Sequence, residues 1–126
     1  MRIFKTKWLA RFARRERIAD RSLSEAIARA ERGLVDAELG GGLIKQRVAR
    51  TGQGRSGGYR MLVAYRQRDR AVLLYGFAKN ELENIAPDEL LTLRDIAAGW
   101  LEADAAQIAQ ALMDETLQEV KDDKED

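Results

Sequence analysis

The run "LIKQRVARTGQGRSGGYRMLVAYRQRDRAVLLYGFAK", from Leu43 to Lys79, contains the clearest signals of secondary structure in the chain. It holds three stretches rich in Val, Leu and Tyr, namely "LIKQRVAR", "GYRMLVAYR" and "AVLLYGFAK", separated by a glycine-rich loop and a polar turn at 68–70. Such stretches between turn-forming residues are typical of β-strands. The sequence therefore predicts three successive antiparallel strands, a β-meander over residues 43–79.

The glycine-rich loop has the spacing G-x-G-x-x-G at Gly52, Gly54 and Gly57. That fingerprint binds a dinucleotide only where a helix follows the loop, because the pyrophosphate lies at the helix N-terminus. Here a predicted strand follows, and the phosphate-binding pattern G-x-x-x-x-G-K-[ST] is absent. We therefore interpret the loop as a hairpin connection.

The residues before the meander predict a short strand and a first helix. Met1–Phe4 is apolar enough for an edge or central strand. Trp8 and Phe12, four residues apart, share one face of a helix over residues 7–17, with the arginines outside.

A capping box predicts where a second helix begins. Ser22 and Glu25 match the pattern S/T-x-x-E/Q, in which each side chain bonds the backbone of the other residue. Apolar residues then recur at helical spacing: Leu23, Ala26, Ile27, Ala30 and Leu34. Gly33 is expected to end this helix, because glycine favours the left-handed conformation of C-terminal caps.

The part after the meander is predicted to be mainly helical. Residues 80–85 fit a short helical turn, and Pro87 suits the first position of a third helix. Its apolar face contains Leu90, Leu93, Ala97 and Trp100. Asp104 and Gln107 form a capping pair for another helix, whereas residues 116–120 fit either a last strand or a helical tail.

The length of 126 residues suits one domain, which we place at residues 1–120. The remaining "KDDKED", residues 121–126, is too highly charged to pack and is predicted to be an acidic tail.

Charge is strongly polarised along the chain, although the net charge is only +1. Residues 1–70 hold 18 Lys and Arg against 7 acids, a balance of +11, and residues 71–126 hold 4 against 14, a balance of −10. An asymmetry of this size indicates a basic surface for a polyanion and an acidic region elsewhere.

Composition also excludes several classes of protein. Without cysteine the chain has no disulfide or thiolate metal site, which fits a reducing cytoplasm. No apolar run approaches the roughly 20 residues of a membrane span, and the N-terminus lacks a secretion signal. A cytoplasmic location without membrane partners is expected.

Alternation along the strands predicts which side chains share a face of the sheet. Ile44 and Val48 form the aliphatic face of the first strand, which we expect to meet the helices, so Lys45 and Arg47 would lie on the opposite, open face. On the second strand, Arg60 joins them if the alternating set of residues 59, 61, 63 and 65 packs on the helices.

Further basic and aromatic side chains surround this face. Tyr75 and Lys79 share a face of the third strand, and Arg50 and Arg55 belong to the glycine-rich loop. Arginine binds phosphates through its planar, multiply donating group, and tyrosines such as Tyr65 and Tyr75 could stack on bases. Core packing is the alternative role for each aromatic residue.

The chemistry available to this face is restricted. The chain has neither His nor Cys, so the usual general base, the thiolate nucleophile and the serine triad are excluded. Asp69 is the one acid between Leu43 and Lys79, so the sequence predicts no metal site or cofactor there. RNA cleavage by its own 2′-hydroxyl needs positioning and charge stabilisation, which Lys, Arg and Tyr can supply.

The blocks "MRIFKTKWLARFARRE", "RAERGLVDAELGGG", "IKQRVARTGQGRSGGYRMLVAYRQRDRAVLLYGFAKNELENI" and "YGFAKNE" occur in an order that resembles the phage-derived branch of the RelE toxins, within the RelE/ParE superfamily. The resemblance covers roughly residues 1–86 and, more weakly, the C-terminal part. It implies a compact α+β domain with N-terminal helices packed on a mostly antiparallel sheet and a helical C-terminal part.

The resemblance also implies an activity and partners. The chain would be the toxin of a type II toxin-antitoxin system, an endoribonuclease that cleaves messenger RNA in the ribosomal A site. Its antitoxin, expected to be a helix-turn-helix protein from the adjacent gene, would hold it inactive.

Site residues follow from the same resemblance, because the basic residues of the sheet do the work in this family. The residues expected to act in catalysis are Lys45, Arg47, Arg60 and Lys79. The loop arginines and the tyrosines noted above, Arg50, Arg55, Tyr65 and Tyr75, are expected from their own chemistry to bind RNA. Several relatives use a histidine or a C-terminal tyrosine, whereas this chain has no His and its last tyrosine is Tyr75.

Two other functions remain open from sequence. ParE toxins share the fold but poison DNA gyrase without nuclease activity. A catalytically inert module could bind RNA or DNA through the same basic face. The fold alone does not distinguish these functions.

Overall fold

The computed structural model describes residues 1–50, 54–78 and 85–121 and contains a six-stranded sheet with helices on both faces. The elements of these ranges are β1 (Arg2–Thr6), α1 (Lys7–Glu16), α2 (Asp20–Glu31), β2 (Ala37–Gly40), β3 (Leu43–Arg50), β4 (Gly54–Arg66), β5 (Arg70–Ala78), α3 (Pro87–Glu102), α4 (Ala105–Met113) and β6 (Leu117–Glu119). The predicted α+β class is confirmed.

The strand order is β2-β3-β4-β5-β1-β6, and the pairing is antiparallel except between β1 and β5. The predicted meander is β3, β4 and β5. The N-terminal strand is central because β1 lies between β5 and β6, and the last apolar segment is a strand rather than a helical tail.

Two apolar clusters lie on opposite faces of the sheet. On one face, Ile44 and Val48 share a cluster with Leu9 of α1 and Ile27 of α2, as predicted. On the other face, a second cluster joins Leu43, Leu62, Ala64, Val72 and Leu74 to α3 and α4. The expectation that this second face is open is therefore wrong over much of the sheet, because α3 and α4 cover it.

The second helix begins earlier than predicted, so the Ser22–Glu25 capping box is wrong. α2 begins at Asp20, and its N-cap residue Ala19 makes no side-chain bond to the helix. Glu25 instead accepts a hydrogen bond from Arg29 Nε at 3.1 Å. The Glu25 carboxylate therefore pairs with Arg29, one helical turn further on, and does not cap the helix.

The end of α2 is as predicted, but its apolar face is shorter. Gly33 has φ +87° and follows the last helical turn, which confirms it as the terminating glycine. Leu34 was predicted on the helical face, whereas it lies beyond α2 and is 56% exposed.

Strand β2 was not predicted from the sequence, because only "AEL" precedes the three glycines at 40–42. It pairs antiparallel with β3 through a tight turn in which Gly40, Gly41 and Gly42 all have positive φ. A β-carbon on Gly42 would lie 2.6 Å from Leu101 Cδ1. The glycines are therefore needed both for the turn and for the close approach of α3.

The C-terminal helices follow their predicted signals. Pro87 is the first residue of α3, and Asp104 and Gln107 form a reciprocal capping box with both bonds at 2.8 Å. The predicted turn at 80–85 falls almost wholly on residues 79–84, outside the described ranges, as do residues 122–126 of the predicted tail. Among the helices described, none is long and apolar enough to cross a bilayer.

Candidate nucleic-acid interface

Two arginines lie opposite each other on the neighbouring strands β3 and β4. The register of β3 and β4 places Arg47 directly opposite Arg60. Like charges in this position repel one another and destabilise a sheet. The pair is therefore difficult to explain by folding alone and is suited to binding an anion.

Arg60 adds a second sign of anion binding. The residue is half-buried, and among the described residues its Nη1 atom is buried without a hydrogen-bond partner. Leaving a buried donor unpaired costs about 1–3 kcal/mol. A phosphate oxygen would satisfy this donor with a charge-assisted bond.

Lys45 lies on the same face of β3 as Arg47. It is half-buried, whereas Arg47 is exposed, and its register partner on β4 is Leu62. Residues two apart in a strand are separated by about 7 Å. The structure therefore brings Lys45, Arg47 and Arg60 together, which are three of the residues expected from the sequence.

An aromatic groove adjoins the arginine pair. On β5, Phe77 is opposite Arg60 and Tyr75 is opposite Leu62, so Tyr75 shares the face of the arginines. Between this part of the sheet and the beginning of α3 lies a groove of about 560 Å³. Its aromatic and acidic lining consists of Trp8, Tyr75, Phe77, Asp88 and Glu89.

Trp8 and the two acids were not predicted as site residues. Trp8 meets Tyr75 edge-on with ring centroids 5.2 Å apart and remains 45% exposed. Its helical spacing with Phe12 indicated core packing. The signal that could have located it is its place at the start of α1, directly after β1, which neighbours β5.

Tyr65 lies on the opposite face of the sheet from the arginine pair. Its hydroxyl donates to Glu31 Oε2 of α2, and it packs against the cluster beneath α1 and α2. Burial and this hydrogen bond raise the pKa of Tyr65. Burial alone would raise the pKa of Glu31, but the bonds from Tyr65 and the Arg68 N–H outweigh it and lower that pKa.

Three other expected site residues lie outside the described part of the structure. The backbones of Arg50 and Arg55 belong to β3 and β4, where Arg50 pairs with Gly54, but their side chains are outside it. Lys79 follows β5 and is wholly outside it. Their roles stay predictions.

Behind Arg47 lies a polar cluster that was not predicted from the sequence. The N–H of Arg47 donates to Asp36 Oδ2 at 2.7 Å, and its carbonyl accepts from Arg29 Nη2. Arg29 is 5% exposed and Gln46 is fully buried. These residues hold the strand from which Arg47 projects.

Clusters of three or more His, Cys, Asp or Glu side chains able to hold a metal ion do not occur within the described ranges. The chemistry that the face does offer is cationic hydrogen bonding beside an aromatic surface. That combination suits a single-stranded nucleic acid, since guanidinium groups bind phosphates and aromatic rings stack on unpaired bases.

Comparison with known proteins identifies one family. The family model described as "RelE toxin of RelE / RelB toxin-antitoxin system" matches residues 1–120. Among curated proteins, none matches the chain significantly.

Proposed function

The chain belongs to the RelE family of toxins, and we propose that it is a ribosome-dependent endoribonuclease that cleaves messenger RNA at the Arg47–Arg60 pair. Membership of the family implies an antitoxin partner. We propose that the chain has nuclease activity, that it acts on the ribosome and that it does so in the cytoplasm.

The observation that carries the proposal is the arginine pair, with one buried donor of Arg60 unpaired among the described residues. In the reaction the 2′-oxygen of RNA loses its proton and forms a bond to the adjacent phosphorus, while the bond to the 5′-oxygen breaks and that oxygen takes up a proton. Negative charge accumulates on the phosphate oxygens as this happens. Donors fixed in advance around those oxygens stabilise the transition state more than the ground state.

Lys45 and the aromatic groove complete the proposed site. Lys45, on the same face as Arg47, would bind the RNA backbone as a point charge. Tyr75 would stack on a base next to the cleaved phosphate, because the groove begins at Phe77, opposite Arg60. Tyr65 has no part in this proposal, since it faces α2.

Mapping the 5′ ends of transcripts after induced expression tests the proposed activity. A ribosome-dependent nuclease produces breaks in phase with codons, and only in messages that are being translated. DNA damage with intact messages would instead identify a gyrase poison. Intact messages together with intact DNA would identify an inert binding module. Either of these two results would overturn the proposal.

A further inference from the structure

The backbone of Arg47 is held on its outer side by side chains instead of a strand. β2 pairs with β3 from Gly40 opposite Leu43 to Ala37 opposite Lys45 and then ends. Beyond that point, the carboxylate of Asp36 accepts from the Arg47 N–H at 2.7 Å. Both peptide groups next to the Arg47 Cα are thus engaged, because the Arg47 carbonyl accepts from Arg29 Nη2.

The side chains of Asp36 and Arg29 are in turn fixed by contacts with other residues of α2 and β3. Arg29 Nη1 lies 3.6 Å from Asp36 Oδ2, and Arg29 Nε lies 3.1 Å from Glu25 Oε2. The Asp36 N–H donates to Gln46 Oε1 at 2.7 Å, and Gln46 Nε2 donates to the carbonyl of Ala26 at 2.9 Å. The cluster therefore connects Arg47 to a helix in the core.

Stability alone is a weak explanation for this arrangement. One more pair of residues in β2 would have satisfied the same backbone groups without charge. Arg29 instead keeps only 7% of its side chain exposed, and removing a charge from water offsets most of the gain from an ion pair. The cluster places two charged side chains, those of Asp36 and Arg29, on the backbone of Arg47, which is the residue opposite Arg60.

We propose that Asp36 and Arg29 are positioning residues that clamp the Arg47 backbone and so fix where its guanidinium group meets the scissile phosphate. This inference rests on the proposed function. The clamp holds both sides of one Cα, from which the side chain projects. Precise placement matters because a shift of about 1 Å at a reacting group can cost about a hundredfold in rate.

The test compares Asp36→Ala with a matched control, Asp20→Ala, in cleavage of messenger RNA on purified ribosomes. Asp20 also accepts a backbone N–H, that of Lys121 at 2.9 Å, and pairs with Lys5 at 2.7 Å. Its side chain is 21% exposed, against 27% for Asp36, but it lies at the start of α2. Both variants lose a half-buried ion pair, and only Asp36→Ala releases Arg47.

We expect Asp36→Ala to lower kcat by roughly tenfold to a hundredfold with little change in KM, because the loss falls on the transition state. Asp20→Ala should keep kcat within about twofold. Asp36→Asn, which keeps an acceptor oxygen for the Arg47 N–H, should recover most of the rate. Equal losses in the Asp36 and Asp20 variants would overturn the clamp.

A double-mutant cycle separates positioning from general destabilisation. In an Arg47→Ala background, Asp36→Ala should cause no further loss, because no side chain remains to be positioned. In an Arg60→Ala background, its effect should persist. A full additional loss in the Arg47→Ala background would show that Asp36 acts by another route.

Amide hydrogen exchange at Arg47 measures the clamp without RNA. Asp36→Ala should speed exchange of the Arg47 N–H at least tenfold while that of Val63, in the core of β4, stays unchanged. Unchanged exchange at Arg47 would overturn the clamp even in an active toxin. A wild-type protein that exchanges as expected but cleaves no RNA would overturn the proposed function alone.

Discussion

At the scale of single residues, Arg60 combines a feature that favours binding with one that opposes folding. It is the register partner of Arg47 on the neighbouring strand, and one of its guanidinium nitrogens is buried without a partner among the described residues. An active site that must bind charge in its transition state often keeps such a group at the expense of stability. The two properties can be measured separately.

Replacing Arg60 by Met should therefore make the folded protein more stable and inactive. The change keeps the aliphatic contacts of the side chain and removes the unpaired donor, so we expect the free energy of unfolding to rise by about 1–3 kcal/mol. Arg47→Met is the matched control, because Arg47 is exposed, and should change stability by no more than about 0.5 kcal/mol. Urea denaturation measures both, and a destabilised Arg60→Met would contradict this account of Arg60.

At the scale of elements, the link between β4 and α2 makes stability depend on pH. The Tyr65 hydroxyl donates to Glu31 of α2, which also accepts the Arg68 N–H at 3.0 Å. The folded pKa of Glu31 is lowered from 4.5, so its contribution is present above that pH and is lost as the pH falls through the folded value. The pKa of Tyr65 is raised from 10.0, so its contribution is complete below pH 10.0 and is lost as the pH rises through the folded value.

Tyr65→Phe should accordingly destabilise the protein by about 1 kcal/mol at pH 7, a modest value because both groups are only half-buried. The loss should shrink as the pH is lowered below the Glu31 pKa. Denaturation at pH 7 and pH 3 measures it, and the same substitution in a Glu31→Gln background should show no such change with pH. A loss that grows in acid would contradict the assigned link.

Elements with strong local signals were predictable from the sequence. The meander, the first helix, Pro87 at the start of α3 and the Asp104–Gln107 cap all depend on neighbouring residues, and all are confirmed. Strand β2 was missed because four residues hold too little alternation, and its existence depends on pairing with β3. The clamp was missed for the same reason, since Asp36 meets Arg47 only after β2 and β3 pair.

The candidate site was predictable in part. Alternation along β3 and β4 placed Lys45, Arg47 and Arg60 on one face, as observed. Tyr65 shares its strand with Arg60 but points the other way, and only the choice of buried face decides which set packs on α1 and α2. The contribution of Trp8 depends on how α1 lies against β5, which no local pattern specifies.

At the scale of the whole molecule, the basic and acidic parts of the chain meet on one face of the sheet. The helices that cover this face belong to residues 71–126, the acidic part of the chain. Asp88 and Glu89 of α3 line the same groove as Phe77, the residue opposite Arg60 on β5. Because the two arginines are both positively charged, we expect a partner that covers the pair to be acidic at that point. We expect the antitoxin to bring such a segment, because complementary charge speeds association and suppresses wrong partners.

The association rate of toxin and antitoxin should fall roughly tenfold between about 0.05 and 0.5 M salt, since added ions screen charges farther apart than the Debye length. The Arg47→Ala, Arg60→Ala double variant should show a weaker dependence. Stopped-flow measurements on the full chain and on one ending at Val120 test this. A rate that ignores salt would rule out the electrostatic model, and a large gain on truncation would assign a competing role to the acidic tail.

The proposed role of the arginine pair is tested by the rate at which the purified toxin cuts messenger RNA in the A site of programmed ribosomes. We predict that Arg47→Ala and Arg60→Ala each lower this rate about a hundredfold or more, equivalent to about 2.7–4 kcal/mol, with folding intact. Arg66→Ala is the control and should cut at the wild-type rate. Arg66 lies on β4 like Arg60, and among the described residues its side chain forms an ion pair only with Asp69, at 3.0 Å. A double variant of Arg47 and Arg60 that still cuts at the wild-type rate would contradict the account.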